Sequence, residues 1–172
     1  MKLKKLTNIT ADDLNDLYKE VNQDVCLVSL PIPLEESKAS AYVEAIEKGR
    51  VGERELLSYG IYEENELIGK IEVTKIDEVA ELDLVIKEKY ENFGFGKGAL
   101  KEFLSIINEI NYCEKIEAFV RSDNTKMIKV LEANFFNRGR EFKADIMKEH
   151  EGIYQLMTVN GYEYFIEFKK VL

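Results

Sequence analysis

The sequence predicts a mixed α/β fold in which antiparallel strands come first and a β-α-β unit follows. From Arg54 to Ile86, apolar residues recur at the period of strands, with charged turns between the runs, which predicts an antiparallel meander. A glycine-rich stretch and an amphipathic helical pattern come next. The order β-α-α-β-β-β-α-β-α-β-β gives a mostly antiparallel central sheet of about seven strands flanked by about four helices.

The chain begins with a short strand and a capped helix. Lys2 to Leu6 fits an edge strand, and Thr10 followed by Asp13 has the pattern of a capping box. The helix opened by this box is amphipathic and is predicted to extend through Val21.

An extended segment and a second helix follow. Cys26 to Pro33 contains two prolines that forbid a helix. The next helix fits Glu35 to Lys48 and ends at Gly49, a residue type that is typical of a helix C-cap.

The meander consists of three predicted strands. Leu56 to Tyr62 and Leu67 to Lys75 flank the charged turn Glu63 to Glu66, which predicts a hairpin. Ala80 to Ile86 adds the third strand after a second charged turn.

The last part of the chain alternates between helices and strands. A helix from about Lys97 to Asn111 has apolar residues on one face, at spacings of three and four. Lys115 to Val120 is predicted as a strand and Asn124 to Asn134 as a short helix. The remainder to Leu172 alternates as strands do.

Composition restricts the class of protein. We expect residues 1–172 to form a single domain, because the length is typical of one and no linker composition interrupts it. A formal net charge of −9 argues against nucleic-acid binding, which needs a basic face. A basic partner such as a polyamine or an amino terminus suits this charge better, although acidic surfaces also simply keep proteins in solution.

The cysteines and the N-terminus exclude further classes. Cys26 and Cys113 lack CxxC spacing, and His150 stands alone in a charged loop, so we expect no metal site. No apolar run reaches the ~20 residues of a membrane span, and no signal-peptide pattern forms at the N-terminus. We therefore expect a cytoplasmic protein with no membrane partner. The sequence leaves the oligomeric state open, with a homodimer as one alternative.

The stretch YENFGFGKGAL, residues 90–100, has glycines at spacings that invite comparison with phosphate-binding turns. A P-loop is excluded by Glu91 and Gly98, which stand where that motif needs a glycine and a hydroxyl. Gly94, Gly96 and Ala99 satisfy the dinucleotide pattern G-x-G-x-x-G/A, but a meander precedes them where a first βαβ unit should begin. Nucleotide binding, or a tight strand-to-helix turn without a ligand, therefore remain alternatives.

A third interpretation rests on resemblance, which covers nearly the whole chain. ELDLVIKEKY, then ENFGFG, then KGALKEFLSII resembles the strand, [QR]-x-x-G-x-[GA] loop and helix of the GNAT N-acetyltransferase superfamily. IEAFVRSDN and NTKMIKVLEANFF resemble its next strand and second motif. LTNITADDLNDLYKEVN, SLPIPLEES and NELIGKIEV are similar to the branch of ribosomal-protein N-terminal acetyltransferases.

The resemblance implies a coenzyme A site at the glycine stretch. The pyrophosphate would be held by main-chain amides at the start of a helix, where the helix dipole favours an anion. The implied residues are Glu91, Asn92, Phe93, Gly94, Phe95, Gly96 and Lys97, with Leu84, Val85 and Ile86 along the pantetheine arm and Asn124 at the second motif. Asn124 also suits a helix N-cap.

The resemblance also implies a carboxylate that takes the proton of the acceptor amine. Glu81 is the first candidate, although an exposed strand charge would alternate in the same way. Asp83, on the same face, is the reserve, and Glu72 on the neighbouring strand is a third candidate. A backbone N–H near Val85 or Ile86 would stabilise the oxyanion.

Three positions depart from the family pattern. Glu91 replaces a Gln or Arg, Leu131 stands where many relatives carry a Tyr, and Phe135-Phe136 replaces Gly-Phe. The resemblance implies an acetyltransferase that moves an acetyl group from acetyl-CoA to a primary amine by direct attack. The departures leave a catalytically degenerate acyl-CoA sensor or interaction module as the alternative.

Overall fold

The computed structural model describes residues 1–27, 34–150 and 153–168, with the backbone alone at residues 149 and 150. Most of the predicted extended segment Cys26 to Pro33, the side chain of His150 and the last four residues of the predicted C-terminal strand lie outside the described part.

One mixed sheet forms the centre of the fold, in the order β1-β3-β4-β5-β6-β8-β7, with the two-residue strand β2 paired to β3. Only β5 and β6 pair in parallel among the strand pairs of the described residues, which confirms the predicted mixed, mostly antiparallel architecture. The strands are β1 Lys2–Lys5, β2 Arg50–Val51, β3 Arg54–Glu63, β4 Glu66–Ile76, β5 Val79–Ile86, β6 Lys115–Arg121, β7 Asn137–His150 and β8 Ile153–Glu167.

Four α-helices cover the faces of this sheet in the described residues, together with two short 3₁₀ turns at Gln23–Val25 and Glu88–Tyr90. The helices are α1 Ala11–Lys19, α2 Glu36–Lys48, α3 Phe95–Glu109 and α4 Thr125–Glu132.

The first helix begins as predicted and ends earlier. The capping box is formed: the Asp13 N–H donates to Thr10 Oγ1 at 3.1 Å, and the Thr10 N–H donates to Asp13 Oδ2 at 2.9 Å. The helix stops at Lys19, because Val21 leaves the helical path to form an isolated antiparallel bridge with Lys87. This bridge brings the segment after α1 alongside the end of β5.

Two apolar cores lie on opposite faces of the sheet. One contains Phe103 and Ile107 of α3 and Leu131 of α4, packed on the central strands. The other contains Leu14 and Leu17 of α1 with residues of α2 and β3. Burial of each such side chain contributes roughly 1.5–3 kcal/mol, so the cores hold the helices on the sheet and fix the strand ends between them. No helix within the described residues is long and apolar enough to cross a membrane.

Candidate active site

A groove opens between β5 and β6, where their pairing stops. The two strands pair only through Val79–Glu81 and Lys115–Glu117. Beyond these residues, β5 borders two cavities of about 370 and 480 Å³, and β6 borders the smaller one. Both cavities are lined by Val21, Val25, Cys26, Leu84, Val85, Asn124 and Met127, so they meet over the open end of β5.

The glycine turn forms one end of the groove. Gly94 has φ 85° and is the N-cap of α3, so the helix begins two residues earlier than the sequence predicted. The first N–H groups of a helix have no partner within it, and a glycine N-cap offers no side chain to them. Gly94, Gly96 and Lys97 line the larger cavity beside these N–H groups. The start of α3 therefore presents amide donors and the positive end of a helix dipole to this cavity.

Gly96 leaves room at the wall of the groove. A Cβ atom added to it would lie 3.5 Å from Val130 Cγ2 and 3.8 Å from Leu84 Cδ2. Val130 and Leu84 both line the larger cavity, so any larger side chain at Gly96 would project into it. The space beside the amides of α3 is suited to an elongated ligand that carries an anionic group.

Glu91 forms an ion pair with Lys126 of α4, and both residues line the larger cavity. The hydrogen bond to Glu91 raises the pKa of the Lys126 ammonium. Lys97 and Lys129 also line this cavity. Glu91, which stands where the family usually has Gln or Arg, is thus paired with Lys126, a lysine 35 positions later in the chain. The sequence pattern did not single out this lysine.

Asn124 joins two parts of the groove wall. Its Oδ1 accepts from the Met127 N–H at 3.1 Å, which caps α4, and its Nδ2 donates to the Val25 carbonyl at 3.4 Å. The predicted N-cap role is confirmed. The second bond fastens the segment after α1 across the groove.

The backbone of β5 presents alternate peptide groups to the groove. The Lys87 N–H donates to the Ile68 carbonyl of β4 at 2.8 Å, and a Cβ at Gly69 would lie 2.5 Å from the Val85 carbonyl. In an antiparallel ladder, peptide groups alternate between the two edges, so Val85 faces β4 and Ile86 faces the open edge. Of the two predicted oxyanion donors, the N–H of Ile86 has the required direction.

Glu81 and Asp83 line the smaller cavity at the other end of the groove. Asp83 Oδ2 lies 3.5 Å from the Nζ atom of Lys70, and 58% of the Asp83 side chain is exposed. The pKa of Asp83 is raised overall. The surrounding protein limits hydration of its carboxylate and raises the pKa, the Lys70 ammonium lowers it, and the Glu72 carboxylate raises it. Asp83 is therefore an accessible carboxyl group with an unusual environment.

Glu72, the third predicted carboxylate, is engaged on both oxygens. Its Oε1 lies 2.5 Å from Lys70 Nζ and accepts from the Tyr42 hydroxyl at 2.5 Å, while its Oε2 accepts from the Ser58 hydroxyl at 2.9 Å. Burial raises the pKa of Glu72, but Lys70 and these hydrogen bonds outweigh it and lower the pKa overall. Lys70 itself is fully buried, which nothing in the sequence indicated, because a lysine in a strand normally reaches water.

Three further residues bear on the departures from the family pattern and on the groove. Leu131 is fully buried in the core, so it replaces the family tyrosine with packing alone. Phe135 is 85% exposed with φ 65°, a backbone region that favours the glycine usual at this position. Cys26 lines both cavities, and burial raises the pKa of its thiol to about 11.

No group of three or more His, Cys, Asp or Glu side chains is placed to hold a metal ion, as far as the chain is described. The groove has a glycine turn with Lys97, Lys126 and Lys129 at one end, and Glu81 and Asp83 beside Arg54 and Arg121 at the other.

Comparisons with known proteins match this architecture. A ribosomal-protein-alanine N-acetyltransferase from Brucella melitensis is 11% identical over 98% of this chain and all of that chain, with a TM-score of 0.74. A spermidine N-acetyltransferase from Vibrio cholerae in complex with CoA and spermine is 17% identical over 96% of this chain and 94% of that chain, with a TM-score of 0.70. RimL, a ribosomal L7/L12 alpha-N-protein acetyltransferase in complex with coenzyme A, matches at 17% identity over 96% of this chain and 92% of that one (TM-score 0.72).

At these identities the solved structures show a shared fold. No curated protein sequence matches the chain. The family model described as "Acetyltransferase (GNAT) domain" matches residues 5–137, which include α1 to α4, the glycine turn and both carboxyl groups of β5. The chain therefore belongs to the GNAT acetyltransferase family.

Proposed function

We propose that this protein transfers an acetyl group from acetyl-CoA to a primary amine by direct attack of the amine. The observation that carries the proposal is the groove at the end of the β5–β6 pairing, with anion-binding amides at one end and accessible carboxyl groups at the other. We also propose that residues 1–172 form one domain, which is supported by structural neighbours that align over 96–98% of the chain.

The described residues fit the cofactor that the family uses. Acetyl-CoA supplies an acetyl group activated as a thioester. The N–H groups at the start of α3 would hold its pyrophosphate, and Gly96 leaves the space that such a ligand needs. Lys97 and Lys126 would add positive charge. The open edge of β5 at Leu84 and Ile86 would bind the pantetheine arm, and the Ile86 N–H would stabilise charge that develops on the acetyl oxygen.

The carboxyl groups of β5 would receive the acceptor. An amine attacks only when neutral, so a nearby carboxylate must take its proton. Glu81 and Asp83 both line the cavity where the acceptor would enter, and both remain candidates. Glu72 is the weaker candidate, because both of its oxygens already accept hydrogen bonds inside the protein.

Direct attack is favoured over transfer through a cysteine. Cys26 is the cysteine that lines the groove, and its pKa of about 11 keeps the thiol protonated near neutral pH. With Leu131 in place of the family tyrosine, the departing thiol has no proton donor at that position. A thiol pKa of ~8.5 allows departure in part as thiolate near neutral pH, so the reaction does not require this donor.

The acceptor class follows from charge. The net charge of −9 favours a cationic amine, either a polyamine or the amino terminus of a protein, and Glu81 and Asp83 offer carboxylates to it in a cavity that Arg54 and Arg121 also line. The structural neighbours include a spermidine N-acetyltransferase and a ribosomal-protein-alanine N-acetyltransferase, which supports both classes.

The test is release of coenzyme A when acetyl-CoA is supplied with polyamines, peptides with free amino termini and small amines. We expect turnover with at least one class, and we expect Glu81→Gln or Asp83→Asn to abolish most of it. Tight binding of acetyl-CoA without turnover of any amine would instead support the acyl-CoA sensor. The buried Leu131 and the positive φ of Phe135 are the observations that favour this alternative.

A further inference from the structure

Lys70 lies inside the protein directly behind the acceptor end of the groove. Its side chain is fully buried, and its Nζ atom lies 2.5 Å from Glu72 Oε1 and 3.5 Å from Asp83 Oδ2. It also donates a hydrogen bond to the Tyr42 hydroxyl and lies 5.8 Å from the centre of the Tyr18 ring. Asp83 is the exposed member of this cluster, and Tyr18 lines the same cavity.

Folding alone gives little reason for a charge at Lys70. Taking an ion pair out of water costs about as much as the pair returns, and well-packed apolar residues often replace such pairs without loss of stability. Glu72 is sufficient as a buried counter-ion, since it contacts Lys70 directly. The second, longer contact connects the buried pair to a carboxyl group in the groove.

We propose that Lys70 is a positioning residue of the acceptor site, which fixes the Asp83 carboxylate from inside the protein so that it meets the acceptor amine. This inference rests on the proposed function. Lys70 Nζ attracts Asp83 Oδ2, and the Leu84 N–H also donates to this carboxylate; its two oxygens have further lone pairs for a ligand. Because Glu72 already neutralises Lys70, the cluster retains one negative charge when Asp83 is ionised, and an ammonium group entering the groove balances it.

Other charged and titratable groups also act on Asp83 and remain in place in the experiment. Besides Lys70 and Glu72, those on the elements packed around it are Tyr18, Cys26, Tyr42, Arg54, Glu81 and Arg121. Among the cations named here, Lys70 is the one that forms an ion pair with the Asp83 carboxylate.

The test uses Lys70→Met combined with Glu72→Leu, because Lys70→Met alone would leave a buried carboxylate without its cation and could unfold the protein. The double variant removes both buried charges and keeps the volume. The matched control is Ile71→Val, which perturbs the same strand on its opposite, fully buried face and changes no charge. Thermal unfolding establishes that each variant folds.

The first measurement is the titration midpoint of the Asp83 carboxyl carbon by ¹³C NMR, assigned by its loss in Asp83→Asn. We expect the midpoint to rise by about one pH unit in the double variant, because the loss of Lys70 outweighs the loss of Glu72. Ile71→Val should leave it unchanged. An unchanged midpoint in the double variant, or an equal shift in the control, would overturn the proposal.

The second measurement follows acetyl transfer to whichever amine proves active, with spermidine as the first probe. The acidic limb of kcat/KM should shift upward with the NMR midpoint, while a purely structural role would lower the rate at all pH values and leave the limb in place. If no amine is acetylated by the native protein, the proposed function fails, but the NMR titration still decides whether Lys70 controls Asp83.

Discussion

Replacing Glu91 by Gln tests what this anion does at the glycine turn. Its carboxylate is 19% exposed and paired with Lys126, which is 52% exposed. In the proposed complex, Glu91 would repel the bound phosphate, and it neutralises a lysine that lines the same cavity. The substitution removes the repulsion and frees the Lys126 ammonium for the phosphate, so we expect Glu91→Gln to bind acetyl-CoA more tightly.

The size of the effect follows from the exposure of the two groups. Unit charges 4 Å apart interact by about 1 kcal/mol in bulk water and about 4 kcal/mol near a protein surface of low effective dielectric. Because Lys126 is half exposed, the lower figure applies, and about 1 kcal/mol corresponds to a decrease in Kd of about fivefold. Loss of the Glu91–Lys126 pair should cost the fold no more than about 1 kcal/mol.

Isothermal titration calorimetry with acetyl-CoA at low and high salt measures the effect. The gain should shrink at high salt, because screening weakens interactions between exposed charges. Glu102→Gln, on an exposed part of α3 outside the lining of the larger cavity, makes the same change in net charge and should not alter Kd. Weaker binding by Glu91→Gln would refute the reasoning and show that Glu91 instead holds Lys126 in position for the phosphate.

Four further predictions concern the turn, the cysteine and acid stability. Phe135→Gly relieves the positive φ and should raise the free energy of unfolding by about 1 kcal/mol, measured by urea denaturation; a loss of stability would show that the aromatic ring packs usefully. Gly96→Val would place a side chain in the space beside the α3 amides and should weaken acetyl-CoA binding by about tenfold or more in calorimetry. Gly98 faces the flexible Met1 side chain, so Gly98→Ala should leave this affinity unchanged. Cys26→Ala should retain acetyl transfer, and complete loss of turnover would revive a route through the thiol. Hydrogen bonds from Tyr90, Lys89 and Lys87 lower the pKa of Glu66 to about 2, so its contribution to stability is present above about pH 4.5 and is lost as the pH falls towards 2. The thermal midpoint should therefore fall less over this range in Glu66→Gln than in the native protein.

The sequence predicted the order of elements because local signals mark most of their ends. The capping box at Thr10 and the C-cap at Gly49 are confirmed, the latter with φ 65°. Several boundaries moved by one or two residues. The end of α1 is the clearest case, since the bridge between Val21 and Lys87 joins residues 66 positions apart and leaves no local pattern.

The candidate site was predictable where main-chain geometry defines it, and not where side chains meet across the fold. Glycine spacing indicated the turn, because Gly94 has φ 85°, which few other residues adopt, and Gly96 leaves space at the wall of the groove. The partner of Glu91 on α4 could not be foreseen, because ion pairs between distant elements carry no spacing rule. The burial of Lys70 was likewise invisible, since the alternation of β4 places it on a face without saying how deeply that face is covered.

The short pairing between β5 and β6 makes the width of the groove a property of core packing. Within the described residues, three residues on each of these strands pair, and Ala99, Leu100 and Phe103 of α3 are fully buried in the core beside the central strands. Because a close-packed core transmits changes in side-chain volume, substitutions at Ala99 or Phe103 are expected to displace the strand ends beyond this pairing. Ligand affinity should then change although neither side chain lines the cavities.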